Sequence, residues 1–301
     1  MIHEYAIEPR VLYAWAENKR DYCEFLREYG LGTPRIFSSF PKLKPDKLRS
    51  YFLQSTPTGE DSQQSRRYIE MVNKLIETLV LRQVAPHQHN EWADHARDEN
   101  QRVPFSVIIS LEPLEIDENI TAETMYSPES RWVHPDQLNI QRTDDGISKA
   151  ISDFLRFSTK QVVVVDTYGW TPEAVQQMQR LLNRITQERV HSTIPQIALF
   201  YKQNQRSPNA ANVKQRIIEG IDLNNVELSL TVFELEEVHG HDVFHNRCIL
   251  TEHGGVITGH GIGVSGEQEH TDEAILMRPD IYHKKWDQFV ERNGYEVVSE
   301  A

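Results

Sequence analysis

The feature that most constrains the fold is an alternation of apolar strands and amphipathic helices that begins near residue 145. The run "QVVVVD" ends at Asp166, and the following helical pattern starts with Thr171 and Pro172, which are typical of a cap and a first helical position. "QIALFYK" is the next apolar run, "SPNAANVKQRIIEGI" repeats the Ser-Pro helix start, and residues 228–232 then alternate apolar with polar. This β-α-β-α-β order predicts an α/β sheet flanked by helices.

The chain before this alternation has a different pattern. Apolar residues recur at helical spacing between Pro9 and Gly30, and again in a broad stripe from Tyr68 to Val80. One stretch, residues 104–114, is typical of a buried strand. We therefore predict a mainly helical N-terminal domain over residues 1–144 and an α/β domain over residues 145–301.

Composition narrows the functional classes. The net charge of −13 disfavours binding to a long polyanion as a default, because nucleic-acid binders usually carry a basic surplus. Two cysteines, Cys23 and Cys248, give no disulfide framework and favour a cytoplasmic setting. No basic-then-apolar leader is evident at the start, and no apolar run approaches the ~20 residues of a membrane span, so we expect neither a signal peptide nor a spanning helix.

A hairpin pattern follows the alternation and carries the candidate chemistry. In "FHNRCILTEHGGVITGHG", His245, Arg247 and Glu252 have the spacing H-x-R-x4-E. Strand alternation would place residues 245 and 247 on one face, where an imidazole and a guanidinium can meet one phosphate. An imidazole can attack phosphorus, a cation can neutralise its oxygens, and a carboxylate can orient the imidazole.

This spacing resembles the H-x-K-x4-D motif of the phospholipase D superfamily, in which six residues lead to G-S-x-N. Six residues separate Glu252 from Gly259, so Gly259 stands in register with that glycine. More narrowly, residues 145–275 resemble the phospholipase D-like domain at the C-terminus of MIT-domain proteins. In that comparison Asp166 and Tyr168 stand at a D-P-Y-like strand end, and His245 and Arg247 stand at its H-D-R.

The sequence departs from the superfamily motif at several positions. Arg247 replaces Lys, Glu252 replaces Asp, and His260 and Ile262 stand where Ser and Asn are expected. The resemblance implies that two such motifs face each other in an active site, so one motif per chain implies a homodimer for catalysis. The MIT-linked branch implies binding of membranes or partner proteins without catalysis.

Two functions stay open from these residues. The first is a degenerate phospholipase D-like domain that binds a phosphate-bearing ligand or a partner protein through Asp166, Tyr168, Gly259 and His260, in the context of a bacterial defence system. The alternative is a metal-independent phosphodiesterase or nuclease in a homodimer, in which His245 attacks, Arg247 holds the phosphate and Glu252 orients the histidine. Neither function requires a cofactor.

Three further patterns have both a functional and a structural interpretation. His239, His241, Asp242 and His245 are candidates for zinc, but their spacing matches no known ligand set, and the histidines of "HQHNEWADH" fit an exposed connection. Basic residues at 35–49, interleaved with aromatic ones, predict a nucleic-acid contact or else a core with a solvated rim. Asp166 is either a ligand contact at a strand end or a cap for the turn that follows.

Overall fold

The computed structural model describes residues 1–57, 62–85, 91–187, 189–221, 227–240, 242–245, 247–265, 267 and 269–301. The chain divides into two compact units. The first is Ile2–Pro135, and the second is Asp136–Ala301 together with Met1. Among the described residues, no helix combines the length and the apolar character needed to cross a bilayer.

The first unit contains a five-stranded parallel sheet with the order β3-β2-β1-β4-β5. Its strands are β1 (His3–Ile7), β2 (Arg35–Ser38), β3 (Leu79–Val80), β4 (Val107–Ser110) and β5 (Asn119–Thr121). Its helices are α1 (Pro9–Glu17), α2 (Lys19–Glu28), α3 (Pro45–Gln54), α4 (Gln63–Glu77) and α5 (Trp92–Arg102).

Both faces of this sheet are buried. The central strand β1 therefore carries apolar side chains on both of its faces. Tyr5 and Ile7 pack into one hydrophobic core, while Ala6 between them packs into another. Successive side chains of a strand point to opposite faces, so β1 has to be apolar at all three positions. Strand β4 divides its apolar residues between the same two cores.

The first unit is mainly helical, as expected, but it also contains a parallel sheet. The helices run where the apolar periodicity places them, and the predicted buried strand within residues 104–114 is β4. The sequence analysis nevertheless missed the parallel sheet as a whole. The missed strands are two to five residues long, and a stretch that short shows no periodicity that separates it from a connection.

The second unit is an eight-stranded mixed sheet with the order β13-β9-β8-β7-β10-β11-β12-β6. The strands are β6 (Gln137–Gln141), β7 (Gln161–Asp166), β8 (Gln196–Lys202), β9 (Leu230–Glu237), β10 (Arg247–Thr251), β11 (Gly254–Thr258), β12 (Thr271–Leu276) and β13 (Tyr295–Glu300). The helices are α6 (Asp144–Phe157), α7 (Pro172–Gln187), α8 (Ala210–Glu219) and α9 (Pro279–Phe289).

The α/β sheet flanked by helices is confirmed. Strands β7, β8 and β9 are parallel and alternate with α7 and α8, as the sequence predicts. The predicted hairpin is the antiparallel pair β10 and β11, joined by a two-residue turn at Glu252 and His253. The sheet also takes in β6, which precedes residue 145 and pairs with β12.

One edge of this sheet gathers the predicted site residues. Strand β10 runs antiparallel to β7, so its first residue lies beside the last residue of β7. The last residue of β11 and the first residues of β12 lie along the same edge. We call this the carboxyl edge, after the carboxyl ends of β7, β8 and β9. Open α/β sheets usually bind ligands in this position.

Candidate functional site

The centre of the carboxyl edge is the pairing of Arg247 with Asp166, which stand directly opposite each other in β10 and β7. The Arg247 side chain is half-buried, and its Nη1 donates to the carbonyl oxygen of Gly259 at 2.8 Å. The guanidinium carbon lies 5.4 Å from the centre of the Tyr168 ring. In the described part of the chain, no carboxylate forms an ion pair with Arg247.

Asp166 is buried, with 2% of its surface exposed, and it joins two loops. Its Oδ1 accepts the N–H of Tyr168 at 2.9 Å, and its Oδ2 accepts the N–H of Ile262 at 2.9 Å. Burial raises the pKa of Asp166, while these two N–H groups and the charges of Arg247 and Arg142 act in the opposite direction. Asp166 thus holds the edge together, and its predicted role as a direct ligand contact is corrected to that of a buried support.

A second carboxylate fixes the loop that follows β11. Asp272 accepts the N–H of Gly259 at 3.0 Å and the N–H of His260 at 2.9 Å. The His260 ring stays largely exposed, and its Nδ1 lies 3.3 Å from Asp272 Oδ1. A Cβ at Gly259 would lie 2.5 Å from Asp272 Oδ1, and one at Gly261 would lie 2.0 Å from Asp166 Oδ2. The G-x-G pattern therefore lets the loop approach two carboxylates closely.

Sequence reasoning missed several charged residues at this edge. Arg142 follows β6, donates from Nη2 to the carbonyl oxygen of Gly263 at 3.3 Å, and acts on the pKa of Asp166. Lys202 and Glu237 end β8 and β9 and form an ion pair at 2.5 Å. The only sequence signal was the position of these residues at strand ends, and β6 itself was not predicted.

His245 lies just before β10 and is exposed. Its N–H donates to the carbonyl oxygen of Val243 at 2.9 Å. A hydrogen bond from Lys202 is the main cause that lowers the pKa of Glu237; the Phe244 N–H and the charge of His245 act in the same direction. Glu237 is therefore a carboxylate whose pKa responds to the charge of His245. The residue between His245 and Arg247 lies outside the described residues, so their common face stays a prediction.

Glu252 lies at the other end of β10 from Arg247, in the turn to β11. Its carboxylate accepts hydrogen bonds from the Ser158 hydroxyl at 2.6 Å and from the N–H groups of Thr159 and Lys160 at 2.6 and 2.9 Å. Glu252 therefore caps the loop before β7. The predicted orienting role of Glu252 is wrong, because strand β10 separates it from His245.

Most aromatic rings interleaved with the basic patch at 35–49 are buried. Phe37, Phe40 and Phe52 are buried in the cores of the first unit. Arg35 is also buried and donates to the carbonyl oxygen of Trp132 at 2.6 Å. Base stacking needs exposed rings, so these three rings do not support nucleic-acid binding. Tyr51 is only partly buried, with Lys42 Nζ 5.6 Å from its ring centre, and Lys44, Lys47 and Arg49 are exposed, so a contact there stays a prediction.

The histidine-rich segments give no metal centre in the described part of the chain, where no group of three or more His, Cys, Asp or Glu residues could hold an ion. His241, His87 and His89 lie outside the described residues. Cys248 is buried, and burial raises the pKa of its thiol to about 12. His95 is buried in α5 rather than exposed, with its ring 4.6 Å from that of Phe40.

Comparison with known proteins gives weak likenesses. No protein family and no curated protein matches the sequence. One similar solved structure is Nuc from Salmonella typhimurium, a phospholipase D family member, with 7% sequence identity over 54% of this chain and 97% of that chain and a TM-score of 0.36. Another is TrmBL2, an archaeal chromatin protein that binds DNA, with 9% identity over 56% of each chain and a TM-score of 0.30. A third is polyphosphate kinase from Porphyromonas gingivalis, with 10% identity over 73% of this chain and 34% of that chain and a TM-score of 0.33. These three TM-scores are all below 0.5.

Proposed function

We propose that the carboxyl edge of the second sheet binds a phosphate-bearing ligand, with Arg247 as the main anion contact. The observation that carries this proposal is that the guanidinium of Arg247 makes one hydrogen bond to a carbonyl oxygen, at an exposed position, and has no carboxylate partner in the described part of the chain. A guanidinium carries five N–H donors in a planar fork that matches phosphate oxygens. Its remaining donors are therefore available to an anion.

The charges around Arg247 support an anion rather than a cation. Arg142 stands close enough to Asp166 to act on its pKa, so two guanidinium groups share this part of the edge. Asp166 and Asp272 are both buried, and backbone N–H groups occupy their oxygens. These two carboxylates are thus less accessible than Arg247.

The element order supports the interpretation as a degenerate phospholipase D-like domain. Strand β7 ends at Asp166, and the hairpin that pairs with it carries Arg247 at its start and the Gly259 turn at its end. This is the arrangement that the resemblance implies for residues 145–275. A homodimer that brings two such edges together is part of the same proposal.

Catalysis is the second candidate, and His245 is the residue that favours it. A ring nitrogen of His245 would attack phosphorus, forming a P–N bond while the P–O bond to the leaving group breaks, and water would later release the phosphate. Such a histidine needs a carboxylate to orient it. Glu252 cannot do this, and Glu237 is already engaged by Lys202 and the Phe244 N–H. Binding without turnover is therefore the better supported function.

Titration calorimetry with inorganic phosphate and with a short single-stranded oligonucleotide tests the binding proposal. Arg247→Ala should weaken binding by about tenfold or more, because a hydrogen bond to a charged group contributes about 1.5–3 kcal/mol. Arg278→Ala is the matched control: Arg278 is a highly exposed arginine at the start of α9 and lies outside the carboxyl edge. Equal loss in both variants would contradict a specific site.

A phosphodiester reporter, assayed with EDTA present, separates binding from catalysis. We expect no turnover by the wild type, including in any fraction shown to be dimeric by sedimentation. Turnover that disappears in His245→Ala would favour the phosphodiesterase instead.

A further inference from the structure

A cavity of about 250 Å³ lies in the first unit, next to α2. Four aromatic side chains that are at most 8% exposed line it: Trp15, Phe25, Tyr29 and Trp132. Two carboxylates of α2, Asp21 and Glu24, line it as well. Aromatic walls beside carboxylates suit an organic cation better than a neutral apolar molecule, because ring faces and carboxylates both attract positive charge.

The carboxylates are not neutralised within the protein. In the described part of the chain, neither Asp21 nor Glu24 forms an ion pair, and no lysine or arginine lines the cavity. The charge of Arg20 acts on the pKa of Tyr126, and the charge of Glu24 acts on the pKa of Arg27. Neither arginine lines the cavity. The lining itself therefore contains two carboxylates and no basic side chain.

Two tyrosines add hydrogen-bonding groups without adding charge. Tyr126 lines the cavity and donates its hydroxyl to Glu24, which fixes that carboxylate. Tyr29 is 3% exposed, and its buried hydroxyl has no hydrogen-bond partner in the described part of the chain. Burial raises the pKa of both phenols, so both stay neutral at physiological pH. The two phenols therefore add no charge to the residues that line the cavity.

We infer that this cavity binds a small quaternary ammonium ion. The methyl groups of such an ion pack against Trp15, Phe25 and Trp132, and its charge is balanced by Asp21 and Glu24. The guanidinium of Arg35, which lies 4.0 Å from the centre of the Trp132 ring, is held in place by Glu28 and by a backbone carbonyl and does not fill the cavity.

The test compares choline with 3,3-dimethyl-1-butanol, which has the same shape and hydroxyl group but no charge. Binding is followed by calorimetry and by the fluorescence change of the tryptophans that line the cavity. Choline should bind at least about tenfold more tightly than the neutral analogue, because aromatic and carboxylate contacts in a desolvated site favour the cation by that order. Equal binding of the two compounds, or no binding of choline, would overturn the inference.

Two conservative substitutions locate the site. Asp21→Asn and Glu24→Gln keep the shape of the side chain and remove one charge each, so each should reduce the preference for choline about threefold or more. Glu17→Gln removes an exposed carboxylate from neighbouring helix α1, outside the lining, and should leave the preference unchanged. A loss in Glu17→Gln equal to that in the other two variants would also overturn the inference, since it would show only a long-range effect of net charge.

Discussion

Arg247 and Asp166 face each other across two strands, yet they do not form an ion pair. Both oxygens of Asp166 accept backbone N–H groups, and its side chain is sealed from solvent. Arg247 instead donates to a carbonyl oxygen and lies over Tyr168. The buried carboxylate thus fixes the loops, while the guanidinium keeps donors for an external anion.

The hydrogen bonds of Glu252 predict a loss of stability without a loss of binding. Glu252→Gln should lower the free energy of unfolding at pH 7 by about 1–3 kcal/mol, because three backbone and hydroxyl donors lose a charged acceptor. Phosphate binding should stay unchanged, since Glu252 lies at the far end of β10. Urea unfolding followed by circular dichroism measures the first effect, with Glu227→Gln, an exposed glutamate, as the control.

The same variant predicts a pH dependence. Burial alone would raise the pKa of Glu252, but His253, the Ser158 hydroxyl and the Thr159 N–H outweigh it, so the pKa is lowered from its usual 4.5. A carboxylate whose pKa is lowered by folding stabilises the folded protein at pH values above its usual pKa. This stabilisation is lost as the pH falls through the lowered pKa. The difference between wild type and Glu252→Gln should therefore shrink below about pH 4.5. A difference that grows there would contradict this account.

A comparison of alanine variants at two glycines with positive φ distinguishes the cost of backbone strain from the cost of a clash with Asp166. Gly261 (φ 79°) and Gly240 (φ 86°) have similar backbones, but a Cβ at Gly240 meets no atom within 4 Å. Gly240→Ala should cost about 1 kcal/mol from strain alone. Gly261→Ala should cost about 1–3 kcal/mol more, because its Cβ displaces Asp166, and it should also weaken phosphate binding. Equal costs in denaturant unfolding would show that the loop does not depend on this contact.

The first unit has a buried charge network that can be tested in the same way. Arg82 is fully buried and donates to Glu4 at 2.8 and 2.5 Å and to Glu99 at 3.1 Å. Arg82→Met leaves the buried carboxylate of Glu4 without its cation, while Glu99 keeps Arg102, and should destabilise the unit by about 3–5 kcal/mol. Arg97→Met removes a partly exposed arginine that pairs with Asp94 and should cost less than about 1 kcal/mol. Thermal unfolding measures both losses. If Arg82→Met and Arg97→Met lost comparable stability, the buried network would contribute no more than an exposed ion pair, which would contradict this prediction.

Much of the second unit could be predicted from the sequence because its elements are long and periodic. The six residues of β7 and the sixteen of α7 carry clear apolar patterns, and a glycine marks the hairpin turn. The sheet of the first unit could not be predicted in this way. Its strand β3 has two residues and β5 has three, so their place in a sheet depends on neighbours that are distant in sequence.

The candidate site could be predicted only in part, for a similar reason. Arg247 and the Gly259 turn lie in the hairpin, whose local pattern is clear. Asp272 and Arg142 reach the same edge through β12 and β6, which pair over a long sequence separation. Glu252 was misassigned because the motif spacing says nothing about direction: five residues of strand carry it to the opposite end of β10.

The most direct test of the central claim follows the Nε–H signal of Arg247 by nuclear magnetic resonance in protein labelled at arginine. The signal is assigned by its absence from Arg247→Lys, and inorganic phosphate is added at constant ionic strength, with chloride as the comparison. If Arg247 binds the anion, its signal shifts saturably with phosphate and stays in place with chloride. A signal that does not move, or that moves equally with both anions, would contradict a phosphate site at this edge.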